Sequence, residues 1–95
     1  MNKKKAGEMF LVCQISNISS ESSTWVDIIF YYNNMTYHTT NTINSFDESK
    51  CVLGKSYYYK FNKNSIENGE IILNQEVCSK YSKSIEVWKN MPCFR

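Results

Sequence analysis

The side chains best suited to chemistry in this 95-residue chain are four cysteines, one histidine and a scatter of carboxylates. Cys13, Cys51, Cys78 and Cys93 lie far apart and form no C-x-x-C pair. A structural zinc site draws on four thiolate or imidazole ligands, usually in closely spaced pairs, so the spacing argues against a metal. Two readings of the thiols remain. They can form two disulfides, in any of three connectivities, or stay reduced and pack as small apolar groups. Cys78 and Cys93 flank the C-terminal segment, and a bond between them would tie it down. Closing a loop of about 15 residues contributes roughly 3 kcal/mol in the chain-entropy model. At least this one bridge is expected.

His38 is the one general base of the usual kind. Its neighbours Tyr37, Thr39 and Thr40 offer hydroxyls but no acid to orient it, so it reads as a solvent-facing strand residue. Asp27 alternates with apolar residues and reads as a carboxylate on a sheet face. Asp47 and Glu48 are adjacent, but a lone acidic pair is no cation cage. No residue is assigned a catalytic role, and no cofactor or metal is implied.

The aromatics carry more information. Seven Tyr, five Phe and two Trp make up 15% of the chain, a content that suits pleated, half-buried surfaces. Tyr57, Tyr59 and Phe61 share one strand face and are expected in the core. By alternation Trp25, Tyr31 and Tyr58 fall on opposite faces, where they could be exposed with Lys60 nearby. Exposed Trp and Tyr dominate protein-recognition hot spots. Beside lysines they also resemble the stacking surfaces of single-strand nucleic-acid binders. Trp25, Tyr31, Tyr58 and Lys60 are therefore the candidate partner-binding residues.

These residues need strands to position them. Alternation predicts strands over 9–18, with Leu11, Cys13 and Ile15 on one face, and over 25–32, with Val26, Ile28, Phe30 and Tyr32 inward. Asn33-Asn34 can make a two-residue hairpin turn, because Asn tolerates positive φ. The return strand is 35–43, followed by a polar loop over 44–52 that Gly54 ends. Further strands are expected over 55–62 and 71–77, with a loop over 63–70 between them. Tyr81, Ile85 and Trp88 at helical spacing predict a short C-terminal helix closed by Pro92, with Trp88 anchoring it to the barrel. The fold expectation is mainly β: a small five-stranded antiparallel barrel or curved sheet, SH3-like or OB-like. Residues 1–7 read as a flexible basic tail, 8–95 as a single domain, and 79–95 as its C-terminal extension.

The segments 26–37, 54–64 and 71–73 resemble a small β-domain of unknown function found in Bacteroidetes proteins, often beside membrane helices. The likeness rests on the aromatic strand Phe30-Tyr31-Tyr32, the Asn33-Asn34 turn with its Tyr37 return, and the Gly-led strand Tyr57-Tyr58-Tyr59 before an Asn-rich turn. It covers roughly residues 10–78. It implies a small barrel, at the cell envelope, and transfers no functional residue. Asn34 and Ser65-Ile66 depart from its usual Gly and Pro.

Eleven basic and nine acidic residues leave a net charge of +2, a weaker imbalance than a nucleic-acid module usually shows. No stretch approaches the roughly 18 apolar residues of a membrane span. A membrane or envelope location follows only if a signal or anchor has been removed; otherwise the expected location is cytoplasmic. Asn17-Ile18-Ser19 and Asn34-Met35-Thr36 match the glycosylation sequon, a frequent coincidence in an Asn- and Ser-rich chain. The function expected is a non-enzymatic protein-binding module with an unidentified protein partner, such as an envelope accessory domain or a small inhibitor or immunity protein. The alternative is an OB-like binder of single-stranded nucleic acid.

Overall fold

The computed structural model describes residues 7–93. The expected tail falls largely outside them. Five antiparallel strands, β1 (Glu8–Ser20), β2 (Thr24–Tyr32), β3 (Met35–Ile43), β4 (Ser56–Asn62) and β5 (Ser65–Glu76), form one sheet in the order β3-β2-β1-β4-β5. The sheet curls into a half-barrel, as the alternation predicted. Asn33 and Asn34 both adopt left-handed backbone, φ 55° and 66°, the conformation a tight hairpin turn between β2 and β3 demands.

The concave face holds the core. Leu11, Cys13, Ile15, Val26, Ile28, Phe30, Tyr57, Tyr59, Phe61 and Ile71 are buried together, sealed at one end by Cys51. Its centre is a chain of rings: Phe30 lies 4.5 Å from Tyr59 and 5.3 Å from Tyr37, and Tyr59 lies 5.9 Å from Phe61. Such offset pairs add about 0.5–1.5 kcal/mol each beyond area burial.

Bulges make the curl possible. In β1 the register with β2 slips between Ile15 and Asn17, leaving Ser16 as the extra residue. Ile18, out of phase with Leu11, Cys13 and Ile15, is thereby returned to the core side. β5 bends twice. Tyr57 and Tyr58 are adjacent in β4, yet their partners Glu76 and Ile72 are four apart, and a second slip lies between Lys60 and Asn62. The expected loop over 63–70 is therefore mostly strand: only Lys63 and Asn64 turn, and β5 begins at Ser65. The missing alternation was the signature of bulges and not of a loop. Gly69 sits in this irregular stretch because a Cβ there would meet Lys60 O at 2.4 Å and the Tyr59 ring at 2.6 Å.

The edge strands β3 and β5 approach without forming a ladder. Side chains of β3 bridge the seam instead. Thr39 Oγ1 donates to Glu67 O at 2.9 Å, and Asn41 does double duty. Its Nδ2 donates to Gly69 O at 3.1 Å, and its Oδ1 accepts from Ile71 N at 2.7 Å. One amide side chain thus imitates a strand neighbour for the β5 backbone.

The C-terminal segment departs from expectation. In place of a helix there is a single 3-10 turn, Ser79–Tyr81, followed by a turn, irregular chain and one bridge residue, Trp88. Ile85, on the expected apolar stripe, is 67% exposed. The segment is a strap across the outer face of β1 and β4. Trp88 anchors it, exchanging backbone hydrogen bonds with Phe10 at 2.7 and 2.8 Å and packing edge-on against Tyr58. Cys78 and Cys93 are joined in a disulfide, as their flanking positions suggested.

Asn41→Ala leaves Gly69 O and Ile71 N without their seam partner, and is expected to cost about 1–3 kcal/mol. Asn41→Asp keeps an acceptor for Ile71 N but turns a carboxylate oxygen toward the Gly69 carbonyl in place of the donor, so it should not restore the stability lost in Asn41→Ala. Urea unfolding of the three proteins checks both.

Candidate interaction surface

The four partner-binding candidates do not form one surface. Tyr58 is fully buried: its ring lies beneath the strap, and its hydroxyl donates to Cys93 O. Alternation placed it on the outer face correctly; what it could not show is that the strap covers that face. Lys60 lies 3.9 Å from Glu8 and 4.0 Å from Glu70, between two carboxylates. Trp25 is half-buried and Tyr31 is 39% exposed, both on the outer face of β2. They are six positions apart along the strand, about 20 Å. Trp25 pairs with Thr42 near the end of β3, whereas Tyr31 pairs with Thr36 beside the hairpin turn, so they belong to opposite ends of the sheet.

Between them the outer face of β2 carries Asp27 and Ile29. Asp27 accepts from Thr40 Oγ1 at 2.8 Å and from Asn17 Nδ2 at 3.3 Å. It is a cross-strand tie, in keeping with the reading of Asp27 as a face residue. His38 is exposed opposite Ile29.

Among the described residues the most exposed large apolar side chain lies in a segment expected to be a polar loop. Residues 44–55 connect β3, at one edge of the sheet, to β4, beyond β2 and β1. The connection crosses the mouth of the half-barrel and carries a 3-10 turn, Ser45–Lys50. Phe46 is 86% exposed, Val52 49% and Leu53 61%. Their sequence signal was present: apolar residues without period, wedged among Ser, Asp and Gly, belong to no strand face and have no core position to fill.

This capping loop is held firmly from beneath. Tyr57 Oη donates to Lys50 O at 2.6 Å and accepts from Val52 N at 2.8 Å. Cys51 turns inward, its thiol donating to Asp47 O at 3.5 Å. Gly54, at φ 81°, donates its N–H to Ile15 O at 2.9 Å. Lys50 and Asp47 pair at 3.0 Å. The loop charges cancel: Asp47 and Glu48 against Lys50 and Lys55.

Neither free thiol is set up as a nucleophile. Burial pushes the Cys13 thiol far above its ordinary 9.0. Cys51 is raised first by desolvation and then by the Asp47 and Glu48 carboxylates. A thiol attacks as the thiolate, and both sites disfavour it. Among the described residues no three His, Cys, Asp or Glu side chains gather as a metal set.

The chain matches no family model, no curated protein and no solved structure. The likeness to Bacteroidetes β-domains accordingly rests on the residues quoted for it.

Two predictions follow from the buried hydroxyls and thiols. Without reductant, a thiol-specific chromogenic reagent should find two reactive thiols only after denaturation, and four once the unfolded chain is reduced. Fast native reaction of Cys13 or Cys51 would contradict their burial. Desolvation raises the hydroxyls of Tyr57, Tyr58 and Tyr59 above 10.0, outweighing the backbone hydrogen bonds that lower them. Their neutral form is favoured by folding, so this stability is complete below pH about 10 and is lost as pH rises through the raised native values. Circular dichroism from pH 9 to 12 should show loss of the fold coincident with tyrosinate absorbance (about pH 10 and above).

Proposed function

We propose that this protein is a non-enzymatic protein-binding module whose contact element is the capping loop, residues 44–55. Phe46 carries the reading: a large apolar side chain, 86% exposed, on a loop that Tyr57, Cys51 and Gly54 fix in place. Leaving such a group in water has no benefit to the fold, whereas fixing it beforehand lowers the entropy lost on association. Val52 and Leu53 are further exposed apolar residues of the same loop, and Trp25 stands at the same end of the sheet.

The loop projects from the mouth of the half-barrel and its charges cancel. The complementary partner is a protein with a concave, apolar, uncharged pocket. Of the two roles the sequence suggested, a projecting rigid loop favours an inhibitor that fills another protein's cleft over an accessory domain docking through a flat face. The same features count against nucleic acid. Tyr58 is covered, Lys60 is flanked by Glu8 and Glu70, and the stacking-plus-charge layout is not presented to solvent.

A photoreactive phenylalanine analogue at position 46, and separately at exposed Lys83 on the strap, tests this in extracts of the source cells. The expected outcome is one discrete cross-linked protein from position 46, absent from position 83 and competed away by wild-type protein but not by Leu53→Asp. Identical products from both positions, cross-linking undiminished by the wild-type competitor, or competition by Leu53→Asp as strong as by wild type would remove the capping loop from the proposal.

A further inference from the structure

The outer face of β1 and β4 carries a second apolar cluster, separate from the main core. Phe10, Val12 and Tyr58 are buried yet do not belong to the concave cluster; Phe10 bonds the strap through its backbone and Tyr58 through its ring and hydroxyl. The strap itself has little internal structure. Its regular elements are one 3-10 turn, Ser79–Tyr81, and one bridge, Phe10 with Trp88. Among its further ties are Ser56 Oγ donating to Ser82 O at 2.6 Å, Tyr58 Oη donating to Cys93 O, the ring contacts of Trp88 with Tyr58 and Tyr81, and Val87, which packs against the main core. The Cys78–Cys93 bond closes this 15-residue span covalently, and both of its cysteines are partly exposed.

We propose that the Cys78–Cys93 disulfide is a redox latch, through which a dithiol reductant releases the strap and uncovers Phe10, Val12 and Tyr58. The exchange balances within itself. One thiolate of the reductant attacks a sulfur of the bridge and forms a mixed disulfide. The second thiolate resolves it, so Cys78 and Cys93 each gain a proton and the dithiol leaves as its own disulfide. Access favours this bridge, because a partly exposed disulfide is open to attack. The other two cysteines do not compete, since Cys13 and Cys51 are buried and their thiols are pushed up.

Val87 is the strap residue that packs against the main core, and most of the fold is built without the strap. The seam bonds of Thr39 and Asn41, the ring chain through Phe30 and Tyr59, and the clamp of Tyr57 on the capping loop involve no strap residue. Opening is therefore local, of the kind that leaves a core standing while a weakly held segment detaches. The inference stands apart from the capping-loop reading, which concerns the mouth of the half-barrel and not this outer face.

The test uses the whole chain in a Trp25→Phe background, so that Trp88 is the sole indole. Dithiothreitol treatment should shift Trp88 emission to the red. It should also raise tryptic cleavage after Lys80, Lys83 and Lys89 by about 100-fold, the scale of the lost loop closure. Circular dichroism should keep its β signal, Cys13 and Cys51 should stay unreactive, and reoxidation should restore resistance. A Cys78→Ser, Cys93→Ser double variant should behave as the reduced protein and ignore dithiothreitol. Unchanged emission and cleavage on reduction would overturn the proposal, because the strap would then hold without the bond. Global unfolding on reduction, with Cys13 becoming reactive, would overturn it equally, because the bond would then be a staple for the whole fold.

Discussion

Three consecutive tyrosines in β4 hold this molecule together, and nearly every other feature leans on them. Tyr57, Tyr58 and Tyr59 are all buried, although alternation sends the middle one to the opposite face from its neighbours. Burying a phenol ring is favourable only if its hydroxyl finds a partner. Each hydroxyl finds one on a different segment. Tyr57 clamps the capping loop at Lys50 and Val52, Tyr58 reaches the strap at Cys93, and Tyr59 donates to Ile66 O at 2.7 Å while accepting from Gly69 N at 2.9 Å. The loop, the strap and the irregular part of β5 have few regular hydrogen bonds of their own. They are stitched to the sheet by side chains that are themselves buried.

The parts of the fold legible in the sequence were those governed by a strict period. Val26, Ile28 and Phe30 alternate without interruption, and the structure buries all three. The Asn33-Asn34 turn was legible because its chemistry is local. What escaped was whatever the period could not express. Ser16 shifts β1 by one residue, so Ile18 looks misplaced until the bulge is known. The first half of β5 read as a loop because Asn64, Asn68 and Gly69 are turn residues by type. Yet Asn68 Nδ2 bonds Ser65 Oγ at 2.7 Å, and Gly69 serves a close approach to Tyr59 rather than a turn. The strap misled in the other direction: Tyr81, Ile85 and Trp88 have helical spacing, but Ile85 faces solvent, so the stripe was a coincidence of three residues.

The candidate surface was less legible than the core, for a physical reason. Alternation states which face a side chain takes, but not whether another segment lies on that face. Tyr58 and Trp25 are both outer-face residues, and a strap some thirty residues further along the chain decides that one is covered. Lys60 looked free because Glu8 and Glu70 are remote in sequence, and only the β1–β4–β5 register brings them beside it. Phe46 was overlooked because a single aromatic in a polar stretch has no pattern, and its significance lies in what it fails to touch.

The open seam explains how so short a chain manages its edges. A five-stranded half-barrel has two unpaired strand edges, and exposed edges invite pairing with other chains. Full closure would require β3 and β5 to run in a continuous ladder, which they do not form, and the irregular stretch of β5 sets Gly69 against the Tyr59 ring. The chain resolves the conflict with Thr39 and Asn41, whose side chains span the gap that backbones cannot. The solution is local, covering β5 from Glu67 to Ile71, and it leaves the mouth beyond Ile43 to the capping loop. The loop must cross there to reach β4, and Cys51 seals the core end as it does so. A segment committed by topology to bridge the mouth, and anchored from within by Tyr57, is then free to present its outward residues to a partner at little cost to the fold. Projection of Phe46 is in this sense a consequence of how the half-barrel closes.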